Sequence, residues 1–136
     1  MAEPAPGATR WTGVTDRPLS LGAVHRFLRD ERAGGTCVFV GSVRRWTEGH
    51  ETARLSYESY RPLADRELDA LAATAGDRWE ALRVVALHRL GDVDPPEPGV
   101  VVGLACAHRA GAFAGARWLI DAIKESVPIW KTDHAR

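Results

Sequence analysis

The sequence predicts an α+β protein, a sandwich in which helices pack on a mostly antiparallel sheet. Two observations lead there. Stretches with apolar residues at helical spacing and stretches of strand length follow one another as helix–β–β–helix–β–β–helix. The strand-like stretches are bounded by Gly and Pro clusters, which mark turns.

Taken in order, Arg10–Thr15 reads as a short edge strand, and Asp16-Arg17-Pro18 as a turn. Ser20 can cap a helix over about residues 21–32, with Leu21, Val24 and Leu28 on one face and Gly34-Gly35 beyond its end. Thr36-Cys37-Val38-Phe39-Val40 is a near-continuous apolar run, which predicts a central strand. Gly41 after it predicts a bulge or a close backbone approach. Residues 46–51 are polar with one glycine and read as a mobile loop. In residues 53–60, Leu55 and Tyr57 alternate with Arg54, Ser56 and Glu58, as in a half-buried strand. Pro62 suits a first helical turn, and Leu68, Leu71, Ala72, Ala75 and Trp79 continue that helix for about four turns. Residues 84–90 predict a third strand, 91–99 a rigid turn-rich connection, and 100–107 a fourth strand. Phe113, Ala116, Ile120, Ile123 and Val127 mark a last helix over about residues 111–126, stopped by Pro128.

A chain of 136 residues fits one domain, here residues 10–136 after an Ala- and Pro-rich tail at 1–9 expected to be disordered. Eighteen basic residues balance eighteen acidic ones. No net field therefore draws the protein to nucleic acid or a membrane surface, and any anion site must be local. No apolar run approaches the roughly 20 residues of a membrane span. The first residues lack the order of a signal peptide, so a cytoplasmic protein is expected. Cys37 and Cys106 each sit in an apolar run and read as small core residues, neither nucleophiles nor metal ligands. No metal site is expected.

The stretch that organises the function is Ala105-Cys106-Ala107-His108-Arg109-Ala110-Gly111. It places His108 and Arg109 where a buried strand gives way to a helix, and free N–H groups there favour an anion. Lys124 lies near the other end of that helix, and Trp130-Lys131 follows the Pro. The plainer readings are a surface His-Arg pair, a solvated Arg117–Asp121 face, C-terminal packing of Trp130, and Arg44-Arg45 reaching for solvent. No nucleophile elbow, P-loop, zinc-protease motif or dinucleotide fingerprint is present. What remains is a set of Arg, His and Lys side chains suited to an anionic, phosphate-bearing ligand and to proton transfer.

Five motifs then occur in order: Phe39-Val40-Gly41-Ser42-Val43-Arg44, Tyr57-Glu58-Ser59-Tyr60, His88-Arg89-Leu90-Gly91, Ala107-His108-Arg109, and Lys124 followed by Pro128-Ile129-Trp130-Lys131. Together, over about residues 11–133, they resemble the large, catalytic subunit of molybdopterin synthase.

The resemblance implies an α/β hammerhead fold and a homodimer, extended to a heterotetramer by two small ubiquitin-like subunits. Each small subunit carries a thiocarboxylate on its C-terminal Gly-Gly. Two sulfurs pass from such tails to cyclic pyranopterin monophosphate, giving the dithiolene of molybdopterin, with no metal or other cofactor needed for the step. The implied substrate-binding positions are Ser42, Val43, Arg44, His108, Arg109, Lys124, Lys131, Thr132 and Asp133. Arg44, His108 and Arg109 are assigned to the phosphate and pterin. Lys124 and Lys131 are assigned to catalysis, stabilising an oxyanion at the thiocarboxylate carbonyl or moving protons. The partner brings the sulfur, which fits the lack of a reactive cysteine.

Where the family has a basic residue and then Glu after the Trp-Lys pair, this chain has Thr132 and Asp133, and it ends at Arg136 where the family usually continues. The helix between Arg109 and Lys124 runs roughly 20 Å. The two ends can then share a ligand only if the ligand spans the gap or a second subunit supplies His108-Arg109. Two other readings stay open: a non-catalytic module for a phosphorylated metabolite, and a docking partner of a ubiquitin-like protein.

Overall fold

The computed structural model describes residues 3–136, so Met1 and Ala2 of the expected disordered tail lie outside it. The elements are β1 (Arg10–Thr15), α1 (Leu21–Leu28), β2 (Gly35–Ser42), β3 (Trp46–Thr47), β4 (His50–Ser59), α2 (Arg61–Arg78), β5 (Arg83–Arg89), β6 (Gly91–Val93), β7 (Pro98–Cys106), α3 (Arg109–Ser126) and β8 (Ile129–Ala135). The architecture is α+β and mostly antiparallel, as expected. One four-stranded sheet has the order β1-β5-β7-β2, and a second has β3-β4-β6 with β8 also on β4. Among the described residues only β1 with β5 is parallel. Just ahead of β1, Thr9 accepts a hydrogen bond from the Val84 N–H at 2.9 Å, and Ala8 accepts one from Arg83 Nη1 at 2.9 Å.

Period-two alternation divides the core between the two faces of the first sheet. Val84 and Ala86 of β5 join Val100, Val102 and Leu104 of β7 under α2 and α3. Val85, Leu87 and Val101 face the other way, under α1. Leu68 of α2 and Leu119 of α3 are fully buried, each worth about 1.5–3 kcal/mol relative to exposure. Among the described residues, no helix is long and apolar enough to cross a membrane.

The N-cap expected for α1 is present, with Ser20 Oγ accepting from the Ala23 N–H at 3.1 Å. The helix stops at Leu28, short of the expected 32. Arg29 leaves helical space at ψ 127°, and Asp30 binds the backbone N–H of Arg32 at 2.9 Å and its guanidinium at 2.7–2.9 Å. A short carboxylate that bonds its own backbone two residues on offers the chain a turn in place of a helix.

β2 is an edge strand, where the apolar run predicted a central one. Among the described residues it pairs with β7 alone, and Val38 and Phe39 are 38% and 41% exposed. Cys37 is only partly buried for the same reason. The bulge expected at Gly41 is there as a register shift between Gly41 and Ser42. A Cβ at Gly41 would stand 2.6 Å from Val100 Cγ1, so glycine is required by close approach.

The expected mobile loop at 46–51 is instead a hairpin between β3 and β4. Glu48 and Gly49 turn it with φ of 49° and 81°, the two positive values a tight primed turn needs. The connection at 91–99 contains β6, which pairs with β4. α3 begins at Arg109, two residues before the expected Gly111, and Phe113 lies on its exposed side at 64% exposure rather than in the core. β8 was not predicted. Four consecutive exposed residues give it no apolar signature, and it exists because β4 offers it an edge.

Candidate active site

Pro128 ends α3 and lets the chain reverse. The Val127 N–H still donates to Ile123 O at 3.1 Å, but its own ψ of 123° leaves the helix. β8 then runs back along β4, with Lys131 opposite Tyr57 in the register. This reversal brings Lys131 to the same cavity as Lys124, in the last turn of α3. The cavity measures about 740 Å³, within the few hundred to a thousand Å³ typical of small-molecule sites. The end of β2 and the β3–β4 hairpin complete its wall.

The floor is apolar, formed by Leu55, Val100, Ile120, Ile123, Val127 and Ile129. Above it stand Arg44, Lys124 and Lys131, against two carboxylates, Glu48 and Asp133. Asp133 is already engaged: its Oδ2 accepts from Thr52 Oγ1 at 3.1 Å and lies 3.5 Å from His50 Nε2. The free cationic character therefore belongs to Arg44 and the two lysines, a set that suits an anion carried on an organic ring or chain.

Of the expected site residues, Ser42, Arg44, Lys124, Lys131 and Asp133 line this cavity. Val43 does not. It is 2% exposed, and its N–H is taken by the Glu97 carbonyl at 2.9 Å. Thr132 faces away from the cavity, since strand alternation sets it opposite to Lys131 and Asp133, and it pairs in register with Ser56. His108 and Arg109 stand outside the cavity at the far end of α3, where His108 is the N-cap without a side-chain cap bond. There the backbone of β2 presses close: a Cβ on Gly35 would meet Arg109 Cα at 2.7 Å.

Among the cavity residues that sequence reasoning left out of the site are Tyr57 and His88. Their rings meet edge to face, with centroids 5.0 Å apart at 80°. Burial pushes the Tyr57 phenol up from its ordinary value. Burial, aided by the charge of Lys124, pushes the His88 imidazole down, while its bond to the Arg89 carbonyl opposes the shift. Both residues sit in the quoted motifs. His88, however, lies inside the predicted strand at residues 84–90, where nothing local sets which face it takes.

Among the described residues, no group of three or more His, Cys, Asp or Glu side chains is arranged to hold a metal ion. The cavity defines a class: an α+β protein that sets an arginine and two lysines over an apolar floor, an arrangement suited to an organic anion. The chain belongs to the MoaE protein family, whose model matches residues 14–126. It is 39% identical over 129 residues to molybdopterin synthase catalytic subunit 1 of Mycobacterium tuberculosis, covering 95% of this chain and 88% of that one. It is 40% identical over 118 residues to the molybdopterin synthase catalytic subunit of Pseudomonas aeruginosa, covering 87% and 77%. Among solved structures, molybdopterin synthase from Staphylococcus aureus superposes with a TM-score of 0.87 at 30% identity, covering 92% of this chain and 91% of that one. A chain from the protein–protein complex of subunits 1 and 2 of molybdopterin-converting factor from Helicobacter pylori superposes with a TM-score of 0.73 at 26% identity, covering 93% and 84%.

Proposed function

We propose that this chain is the catalytic subunit of a molybdopterin synthase and works as a sulfurtransferase. It moves two sulfurs from the thiocarboxylated C-terminus of a small ubiquitin-like subunit to cyclic pyranopterin monophosphate. The observation that carries this reading is the pair Lys124 and Lys131, drawn from the end of α3 and from β8 into one cavity that holds neither cysteine. A site with cationic donors and no thiol of its own suits a reaction in which the partner supplies the sulfur.

In this reading the ammonium groups of Lys124 and Lys131 meet the thiocarboxylate and stabilise the oxyanion that forms when its carbonyl carbon becomes tetrahedral. Arg44 and Ser42 hold the pterin against the apolar floor. His108 and Arg109 bind the phosphate from a second copy of the chain, because the α3 helix separates them from the lysines of their own. The exposed edge of β2, with Val38 and Phe39, gives that second copy an apolar strand to cover. The assembly is then a homodimer carrying two small subunits.

The test is to mix the protein with thiocarboxylated small partner and cyclic pyranopterin monophosphate and to assay the dithiolene product. Turnover supports the reading. Binding of the pterin or of the partner without turnover would leave a metabolite-binding or docking module in its place.

A further inference from the structure

We propose that His88 is the proton acceptor of this cavity, its free Nε2 taking the proton of the water that cuts the acyl–sulfur bond. The proposal rests on the sulfur-transfer reading above and adds to it a residue and a step.

His88 stands near the end of β5, on the face that Val84 and Ala86 turn toward α2 and α3, and it lines the cavity. Its Nδ1 is 2.7 Å from the carbonyl oxygen of Arg89. A carbonyl can only accept, so Nδ1 carries the hydrogen, and in the neutral ring Nε2 is left with a lone pair. Among the described residues Nε2 has no hydrogen-bond partner, and the edge-to-face packing of Tyr57 fixes the plane of the ring. The charge that acts on it is Lys124 from α3, the Tyr57 ring of β4 packs against it, and its register partner on β7 is the uncharged Val100, while Arg44, Glu48, His50, Lys131 and Asp133 line the same cavity. A nearby ammonium and burial both disfavour an imidazolium, so the ring stays a base at neutral pH.

The other cavity groups are less suited. An ammonium is all donor. Asp133 accepts from Thr52, the His50 ring that also lines the cavity has its Nε2 turned to that carboxylate at 3.5 Å, and Glu48 sits at the tip of the hairpin turn.

A base is needed because the sulfur, once bonded to the pterin, still carries the partner's acyl group. Water adds to that carbonyl carbon and gives its proton to Nε2. The carbon–sulfur bond breaks, the sulfur stays on the pterin as a thiolate, and the tail leaves as a carboxylic acid that ionises. The imidazolium returns its proton to solvent, and nothing is oxidised or reduced.

The variant His88→Asn keeps an N–H where Nδ1 donates and offers no base at the Nε2 position. Single-turnover rates are measured with thiocarboxylated partner and cyclic pterin between about pH 5 and 8. The wild type should lose rate toward acid with a midpoint below 6.5, the ordinary value for the ring. His88→Asn should be slower by about a hundredfold or more at neutral pH. It should also lack the acid limb and accumulate the partner–pterin acyl adduct, seen by mass spectrometry. If His88→Asn fails to fold, as judged by circular dichroism, His88→Gln is read the same way. A variant within a few-fold of wild type that keeps the acid limb overturns the proposal. So does a nitrogen NMR titration of the unmodified protein showing the Nε2–H tautomer. A wild type that makes no product removes the underlying reading and this step with it. Loss confined to the variant supports His88 alone.

Discussion

Arg109 opens α3 and Lys124 stands in its last turn, so one straight helix holds the two cations apart by about 22 Å. Lys124 lines the cavity and Arg109 does not. A site that uses both must be built from two chains or from a ligand that spans the helix.

This separation is open to a subunit-mixing experiment. Arg109→Ala and Lys124→Ala proteins, each impaired alone at pterin concentrations well below the Kd of the Arg109→Ala protein, should regain activity when mixed. Exchange gives half hybrids, each with one intact site of two, so recovery should approach about a quarter of wild type. No recovery after verified exchange would place both residues in one chain's site or remove one of them from it.

Arg109→Ala should weaken pterin binding with little loss of stability, because the side chain is exposed. A charge-assisted hydrogen bond is worth roughly 1.5–3 kcal/mol, so affinity should fall about ten- to a hundredfold. Calorimetry with cyclic pyranopterin monophosphate measures it, and an unchanged Kd would take Arg109 out of the site.

Lys124→Ala and Lys131→Ala should each lower the single-turnover rate by about two to three orders of magnitude, the usual loss when an oxyanion donor is removed. The small partner should still bind, since the lost contact is made mainly in the transition state. Near-normal rates in both variants would end the assignment of the lysines to catalysis.

Gly35→Ala should couple stability to the site. The new Cβ would press on the α3 backbone at Arg109 Cα, 2.7 Å away, where no flexible side chain can yield. Overpacking of this kind costs about 1–3 kcal/mol. Thermal unfolding should fall accordingly, and pterin affinity should fall with it because the His108-Arg109 end of α3 must shift. A lower Tm with unchanged affinity would separate the two effects.

Asp30 predicts a pH effect away from the cavity. Hydrogen bonds from the Arg32 side chain and backbone hold its carboxyl well below the ordinary carboxylate range. A group depressed on folding stabilises the protein above its unfolded pKa of about 3.9, and that stabilisation is lost as pH falls toward the folded value. Asp30→Asn should therefore lower Tm at neutral pH and leave it closer to wild type in strong acid. Parallel curves of Tm against pH for the two proteins would show that Asp30 contributes nothing there.

Most element positions could be read from the chain, because local chemistry sets them. Ser20 caps α1 and Pro62 opens α2, each through a bond or a fixed φ that needs no distant partner. Gly41 signalled the bulge by its residue type, and the structure adds the reason a Cβ is excluded there, the Val100 side chain of β7. The motifs holding Ser42, Arg44, Lys124 and Lys131 likewise located the cavity's cations, and Asp133, two residues past the last motif, its one engaged carboxylate.

Tertiary structure alone decided what depends on who covers whom. The apolar run at residues 36–40 has the same composition whether its own chain or another covers it, so only the sheet order revealed β2 as an edge. β8 carries no apolar pattern and becomes a strand through pairing with β4, and that pairing turns Lys131 toward Lys124. The strand predicted at residues 84–90 does not say which way His88 points, and only the packing of Tyr57 beside it and the bend after α3 show that its ring faces the cavity. The sequence by itself determined which side chains were available and which local elements carry them, because capping, turn and periodicity forces act within a few residues. Which of those side chains share one cavity was decided by non-local burial and strand pairing, whose free energy exists only once the chain has closed on itself.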